Sequence, residues 1–254
     1  MGDFTGLLVG GPIASPVPAD ADSNAAAMGD FTGVIYGEAV APDTAELLLH
    51  FDGSFTDASS AARSITNNSA ATSTDHPAWG SAALEGNGAG YLQTADDGAF
   101  DFGNGVFSID FWLYIETAAS LATDNIIAAK WSAGSQSWFI NLYGPLERIS
   151  LGSRRSGTNF FDTLSGVLPR DTLMHVAVWR HSISTGVLCA IDGVIVGSSS
   201  GAQFFDTSAD DLTIGSTTAG GAPLPAGVHV DELRICIGTI DYFTSGFTPP
   251  AGPY

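Results

Sequence analysis

Residues 107–115 read Phe-Ser-Ile-Asp-Phe-Trp-Leu-Tyr-Ile, and they alternate without a break. Phe107, Ile109, Phe111, Leu113 and Ile115 fall to one side, Ser108, Asp110, Trp112 and Tyr114 to the other. Side chains on a strand point to opposite faces in turn, so the pattern dictates an extended segment with one apolar face and a core to bury it. On a helix the same residues would scatter around the axis. Further strand-like runs follow the same logic: ELLLHFDG at 46–53, MHVAVWRH at 174–181, GVLCAIDGVIVGS at 186–198, DDLTIGS at 210–216 and VHVDELRICIG at 228–238. Within the third of these, Asp192-Gly193 between apolar flanks predicts a two-residue hairpin of type I′. Helical periodicity is nearly absent, and 31 Gly with 12 Pro supply turns for many short strands. The expected class is all-β, a double-sheet sandwich or jelly roll, over residues 46–254.

Residues 1–45 have a different texture and read as an extended N-terminal arm. MGDFTG at 1–6 returns letter for letter at 28–33, each copy followed by a short apolar tail, Leu7-Leu8-Val9-Gly10 and Val34-Ile35-Tyr36-Gly37. The Pro- and Ala-rich stretch between the copies has the composition of a flexible or polyproline-like connector. Neither copy can bury a core alone, but each is long enough to add as one strand to an exposed sheet edge. Two linked copies would reinforce one another through effective concentration. Phe4 and Phe31 are the expected partner-binding anchors, with Gly2, Gly6, Gly29 and Gly33 permitting close approach. A competing start at Met28 is the trivial alternative.

Charge narrows the partners. Net charge is −19, with Lys130 the single lysine beside seven arginines. Such a surface repels phosphate backbones, which argues against nucleic acid, and is compatible with high solubility, cation binding or a salty environment. No stretch approaches the ~18 apolar residues of a membrane span. Gly10-Gly11-Pro12 interrupts the only apolar run of a start that lacks basic residues, a poor signal peptide. Cys189 and Cys236 sit in strand-like runs and read as buried thiols. The five histidines, His50, His76, His175, His181 and His229, lack the short spacings of a zinc site, and His175 and His229 read as hydrogen-bonded structural residues.

LLLHFDG, FSIDFWLY, HVAVWR, CAIDGVIVGS, LTIGS and VDELRICIGTIDYFTSGFTPPAGPY, in that order, resemble the laminin-G-like jelly rolls of the concanavalin A-like lectin/glucanase superfamily, in the subgroup common among bacteriophage virion proteins. The resemblance spans roughly residues 46–254, with Leu173-Met174-His175-Val176 standing where the family often has Trp-His-His-Val. Retaining glucanases of this superfamily carry two glutamates on a strand reading E-[IL]-D-x-E, and hydrolysis needs that carboxylate pair ~5–5.5 Å apart. Here Ser108 and Trp112 occupy the glutamate positions and only the central Asp110 remains. No catalytic residue is expected. The resemblance implies a rim Ca²⁺, for which Asp52, Asp57 and Asp231 are the expected ligands, with the pairs Asp96-Asp97 and Asp210-Asp211 as further loop acids. It also implies, as an alternative role, a sugar site on Trp79, Trp131 and Trp138. Taken with the arm, it implies a non-enzymatic phage virion protein, assembled in the host cytoplasm and present in many copies or as a homo-oligomer. The first expectation is a capsid decoration or cement protein gripping the major capsid protein; the second is a tail or fibre adhesin binding a host glycan.

Overall fold

The computed structural model describes residues 45–199, 204–238, 242 and 244–254. The arm with its six anchor residues lies outside them, apart from Ala45. Fifteen strands occur among the described residues: β1 Ala45–Leu49, β2 Thr66–Asn68, β3 Ala71–Ser73, β4 Ala83–Glu85, β5 Tyr91–Thr94, β6 Phe107–Ile115, β7 Asn125–Trp131, β8 Gln136–Tyr143, β9 Arg148–Arg155, β10 Thr158–Thr163, β11 Met174–Arg180, β12 Leu188–Ile191, β13 Val194–Ser198, β14 Leu212–Ile214 and β15 Val228–Ile237. They form two sheets. The first runs β13-β12-β11-β6-β15-β4-β3, with β1 also paired to β15; the second runs β10-β9-β8-β7-β14-β5-β2. Every strand-to-strand ladder is antiparallel. No helix among these residues is long and apolar enough to cross a membrane.

The alternation of β6 sets the inner layer. Its five apolar residues are buried against Ile140 and Leu142 of β8, Ile149 and Leu151 of β9, and Val176 and Val178 of β11. The predicted hairpin forms between β12 and β13, with Asp192 at φ 49° and Gly193 at φ 77°, the left-handed pair that a type I′ turn requires. Both cysteines are buried, and burial pushes the Cys189 thiol up to about 12.

One expected sugar platform is misplaced. Trp138 is fully buried in the core, its ring stacked 4.7 Å from Phe102 and its indole N–H donating to the Phe100 carbonyl at 2.8 Å. The cause is strand period: on β8, Trp138, Ile140 and Leu142 face inward, while Phe139, Asn141 and Tyr143 face outward.

The outer face of the first sheet is largely closed by the C-terminal segment. Tyr242 and Phe247 pack their rings 5.5 and 6.0 Å from Trp179. Tyr254 lies with its ring 3.8 Å beneath the Arg234 guanidinium and its hydroxyl bonded to Asp110 and, at 3.1 Å, to His175. Burial alone would push the Asp110 carboxyl up; the Arg234 charge beside it, with the bonds from His175 and Tyr254, overrides burial and leaves it below the usual range. The central acid of the glucanase-like strand is thus sealed under the tail.

Candidate functional site

The second sheet turns a different set of side chains outward. Its middle strands supply a row of outward residues: Phe139, Asn141 and Tyr143 on β8, Ser150 and Gly152 on β9, Phe161 and Thr163 on the edge strand β10. The registers Phe139 to Gly152, Asn141 to Ser150, and Ser150 to Thr163 bring these into contact across the ladder. Gly152 is required by its neighbour: a Cβ there would fall 2.1 Å from the Phe139 ring. The ring therefore lies flat across the strand as a floor and meets Phe161 at 5.7 Å.

Beside this floor is a groove of about 490 Å³, lined by Asp124, Asn141, Tyr143, Leu146, Ser150, Phe161, Asp162 and Thr163. That volume lies within the range of small-ligand sites. Phe161 and Leu146 are 67% and 46% exposed, a large apolar area for water to cover. The polar groups are held in place. Asn141 donates to Asp124 at 2.7 Å, and its Oδ1 is buried without a partner in the protein. Asp162 is fixed by Arg155, whose Nε donates to Ser153 at 2.8 Å and whose guanidinium sits 4.5 Å over Phe160. A buried acceptor without a donor is costly, and a ligand hydroxyl would reach this one on a turn of the Asn141 side chain toward the groove. Chemically the groove offers aromatic and aliphatic surface beside carboxylate, amide and hydroxyl groups, and among its lining residues no histidine, cysteine or lysine that would act as nucleophile or base.

The residues expected from sequence do not gather here. Trp131 is on this sheet, half-buried and edge-on to Phe139 at 5.0 Å, but does not line the groove. Trp79 is associated with the first sheet, edge-on to Trp112 at 6.3 Å. The three expected calcium ligands also do not converge. Asp57 is buried and accepts from the N–H groups of Leu48 and Ser59 at 3.0 and 2.9 Å, the Ser59 hydroxyl and the Arg63 N–H. Asp52 accepts from the N–H of Ala82 at 3.3 Å, and Asp231 from those of Ala78 and Glu232 at 2.7 and 2.9 Å. Asp57 and Asp231 each tie a loop to a strand, and Asp52 joins two loops. Of the further loop acids, Asp96 holds the buried Lys130 together with Asp101 at 2.7 Å each, Asp97 pairs with Arg63 at 2.5 Å, and Asp211 accepts from Gln93 and the Asp96 N–H, whereas Asp210 Oδ2 is buried without a hydrogen-bond partner.

What these residues build is an antiparallel sandwich with one face closed and one grooved, and a family model described as concanavalin A-like lectin/glucanases matches residues 85–238. The chain belongs to that superfamily. A search of curated proteins by sequence returns no match. Solved structures share the superfamily's sandwich at low identity. The binding domain of Paraclostridial Mosquitocidal Protein 1 has TM-score 0.58 and 12% identity, over 76% of this chain and 49% of that one. Domain 4 of AbnA, an extracellular arabinanase from Geobacillus stearothermophilus in complex with arabinotriose, has TM-score 0.56 and 19% identity, over 78% and 94%. The binding domain of botulinum neurotoxin DC in complex with SialylT has TM-score 0.55 and 12% identity, over 76% and 47%. The chain spans about half the length of the toxin domains it matches and nearly all of the arabinanase domain.

Proposed function

We propose that the jelly roll is a non-catalytic glycan-binding domain whose site is the groove on the outer face of the second sheet. The observation that carries this is the pairing, in one groove, of exposed Phe161 and Leu146 with the fixed polar edge of Asp124, Asn141 and Asp162. Sugar rings present one apolar face and a rim of hydroxyls, and this surface offers a counterpart to each. The arabinotriose and SialylT complexes of two structural neighbours support the class of ligand. Non-catalysis is supported by Ser108 and Trp112 at the glucanase glutamate positions and by burial of Asp110 under Tyr254. The test is a glycan array probed with the whole chain, followed by titration calorimetry on any hit. Asn141→Ala should abolish binding while the melting curve stays cooperative. An array without hits, or hits that survive the substitution, would reject the groove.

A second reading follows from the duplicated MGDFTG segment, which suits attachment to a surface of repeated subunits: a virion protein held to a phage capsid, or to its tail, through the arm. In the tail case the glycan-binding groove becomes the adhesive end. Deleting residues 1–45 should prevent incorporation into particles and leave glycan binding intact. Normal incorporation of the deleted chain would remove this reading.

A further inference from the structure

His76, Glu116 and His229 are far apart in sequence, and the structure brings one donor atom from each to within 4.8 Å of the others. The Nε2 atoms of the two histidines flank one oxygen: His229 Nε2 is 3.1 Å and His76 Nε2 4.0 Å from Glu116 Oε1. We propose that these three residues form a binding site for a divalent transition metal of the zinc class.

The fold aims all three. His229 is buried on β15, in register with Tyr114 of β6, and so cannot swing away. Glu116 follows the last residue of β6, and its N–H donates to the Gly227 carbonyl at 2.8 Å. Gly227 is at φ 81°, and a Cβ there would lie 3.1 Å from Glu116 Oε2, so glycine leaves the room the carboxylate occupies. His76 sits between β3 and β4 at φ 57°, a left-handed conformation unusual for a residue with a side chain. Asp231 holds that loop through the Ala78 N–H, and the His76 ring is stacked on Tyr114 at 3.7 Å and 9°. A strained backbone and a fully stacked ring together present Nε2 to the cluster.

The donor set selects the metal. Two imidazoles and one carboxylate suit Zn²⁺ and its neighbours in the first transition row, whereas Ca²⁺ requires six or more oxygens. Zinc bonds of ~2.0–2.2 Å at tetrahedral angles put donors about 3.4 Å apart, so closing on an ion asks only a small shift, taken up by exposed His76. Three protein ligands leave a fourth position to water, reached from the solvent side of His76. An ordinary His–Glu hydrogen bond accounts for His229 and Glu116, and stacking on Tyr114 holds the His76 ring, but neither contact requires the His76 Nε2 to face the same Glu116 oxygen.

The experiment uses tag-free whole chain titrated with ZnCl₂, with CaCl₂ and MgCl₂ as controls, read by calorimetry and thermal shift. One zinc should bind per chain and raise the melting temperature, with neither control doing so. Loss of an outer partner of a metal ligand already costs about ten- to a hundredfold in affinity, so His76→Ala and Glu116→Gln should each weaken zinc by more than about a hundredfold. His76 is exposed, so its variant retains the fold and serves even if Glu116→Gln is unstable. Co²⁺ should give the visible absorption of a four-coordinate site in the parent and not in His76→Ala. Absence of zinc binding, or equal binding by parent and His76→Ala, overturns the proposal. Glycan binding on the other sheet is unaffected by His76→Ala, so failure here and failure of the groove are separable.

Discussion

Phe161→Ala is the sharpest test of the groove, because the residue contributes little to the fold and much to the proposed contact. Its side chain is 67% exposed on the edge strand β10. A phenylalanine buries on the order of 200 Å² when fully covered, so about 130 Å² stands in water. A sugar ring laid on one face would cover roughly half to all of that. At ~25 cal/mol per Å² the contact is worth about 2–3 kcal/mol, an upper bound because ordering the ligand opposes it. Each ~1.4 kcal/mol is tenfold in affinity, so Phe161→Ala should weaken glycan binding about thirty- to a hundredfold. The stability change should stay within about 0.5 kcal/mol, as for other surface substitutions. Calorimetric titration of the best array hit gives the first quantity, and urea unfolding of the same preparations gives the second. Unchanged affinity would refute the groove as the contact surface. Affinity lost together with several kcal/mol of stability would show that Phe161 acts through the fold and that the area argument is wrong.

Three further outcomes follow from the packing. Trp138→Ala should cost about 3–5 kcal/mol in urea unfolding, since it empties a core site and leaves the Phe100 carbonyl without its donor. Gly193→Ala should destabilise by more than about 1 kcal/mol and expose the C-terminal segment to protease, because its Cβ would fall 1.8 Å from the Phe247 carbonyl at φ 77°. Burial pushes the Asp231 carboxyl up to about 6, against the pull of the N–H groups of Trp79, Ala78 and Glu232. Between pH ~4 and ~6 the folded chain therefore holds a proton that the unfolded chain has lost, and stability falls as pH rises through that window by about 1–3 kcal/mol. The difference between parent and Asp231→Asn, from urea midpoints at pH 4.5 and 7, should carry that slope. Burial also pushes the Glu232 carboxyl up, with the same sign, so the slope of the parent contains both and the difference from Asp231→Asn isolates Asp231; the depressed Asp110 carboxyl acts with the opposite sign and at lower pH.

The long strands of the first sheet are plain in the sequence, while β3 and β4, three residues each, are too short to show a period. β6 has five inward apolar residues in strict period, and β12 and β13 are joined by the one turn whose residue pair names its geometry. Most of the second sheet is not. Bulges at Ile126/Ala128 and Lys130/Trp131 break the alternation of β7, and exposed β10 has no buried side to betray it. β8 is the exception: Trp138, Ile140 and Leu142 alternate against Phe139, Asn141 and Tyr143, and that period alone would have turned Trp138 inward. The groove draws on residues from 124 to 163 and the histidine cluster on positions 76, 116 and 229, so no local spacing encodes either. The arrangement of the aspartate-rich loops is hidden for a related reason. Asp52, Asp57 and Asp231 have the chemistry of metal ligands, but the structure uses each as an acceptor for backbone N–H groups and does not gather them around one point.

The closed face and the open face have a common origin in how the sheet edges and outer residues are used. On the first sheet, outward Asp110, His175, Trp179 and Arg234 would be an unfavourable surface if left bare, with a charge pair and a large ring on one flat sheet. The C-terminal segment resolves this by supplying Tyr254 to the charges and Tyr242 and Phe247 to the ring. On the second sheet the corresponding outward residues are Asn141, Tyr143, Ser150 and Thr163, which tolerate water, with Phe139 packed over Gly152. No described segment closes over the groove: Phe161 and Leu146 remain bare, and the Asn141 Oδ1 lacks a partner in the protein. Val167, Val194 and Phe204 are also exposed, but among the lining residues of the groove exposed apolar side chains stand beside fixed polar groups, while the opposite face is covered by the chain itself. That asymmetry, more than membership of a lectin-like superfamily, is the physical reason to look for a ligand at Phe161.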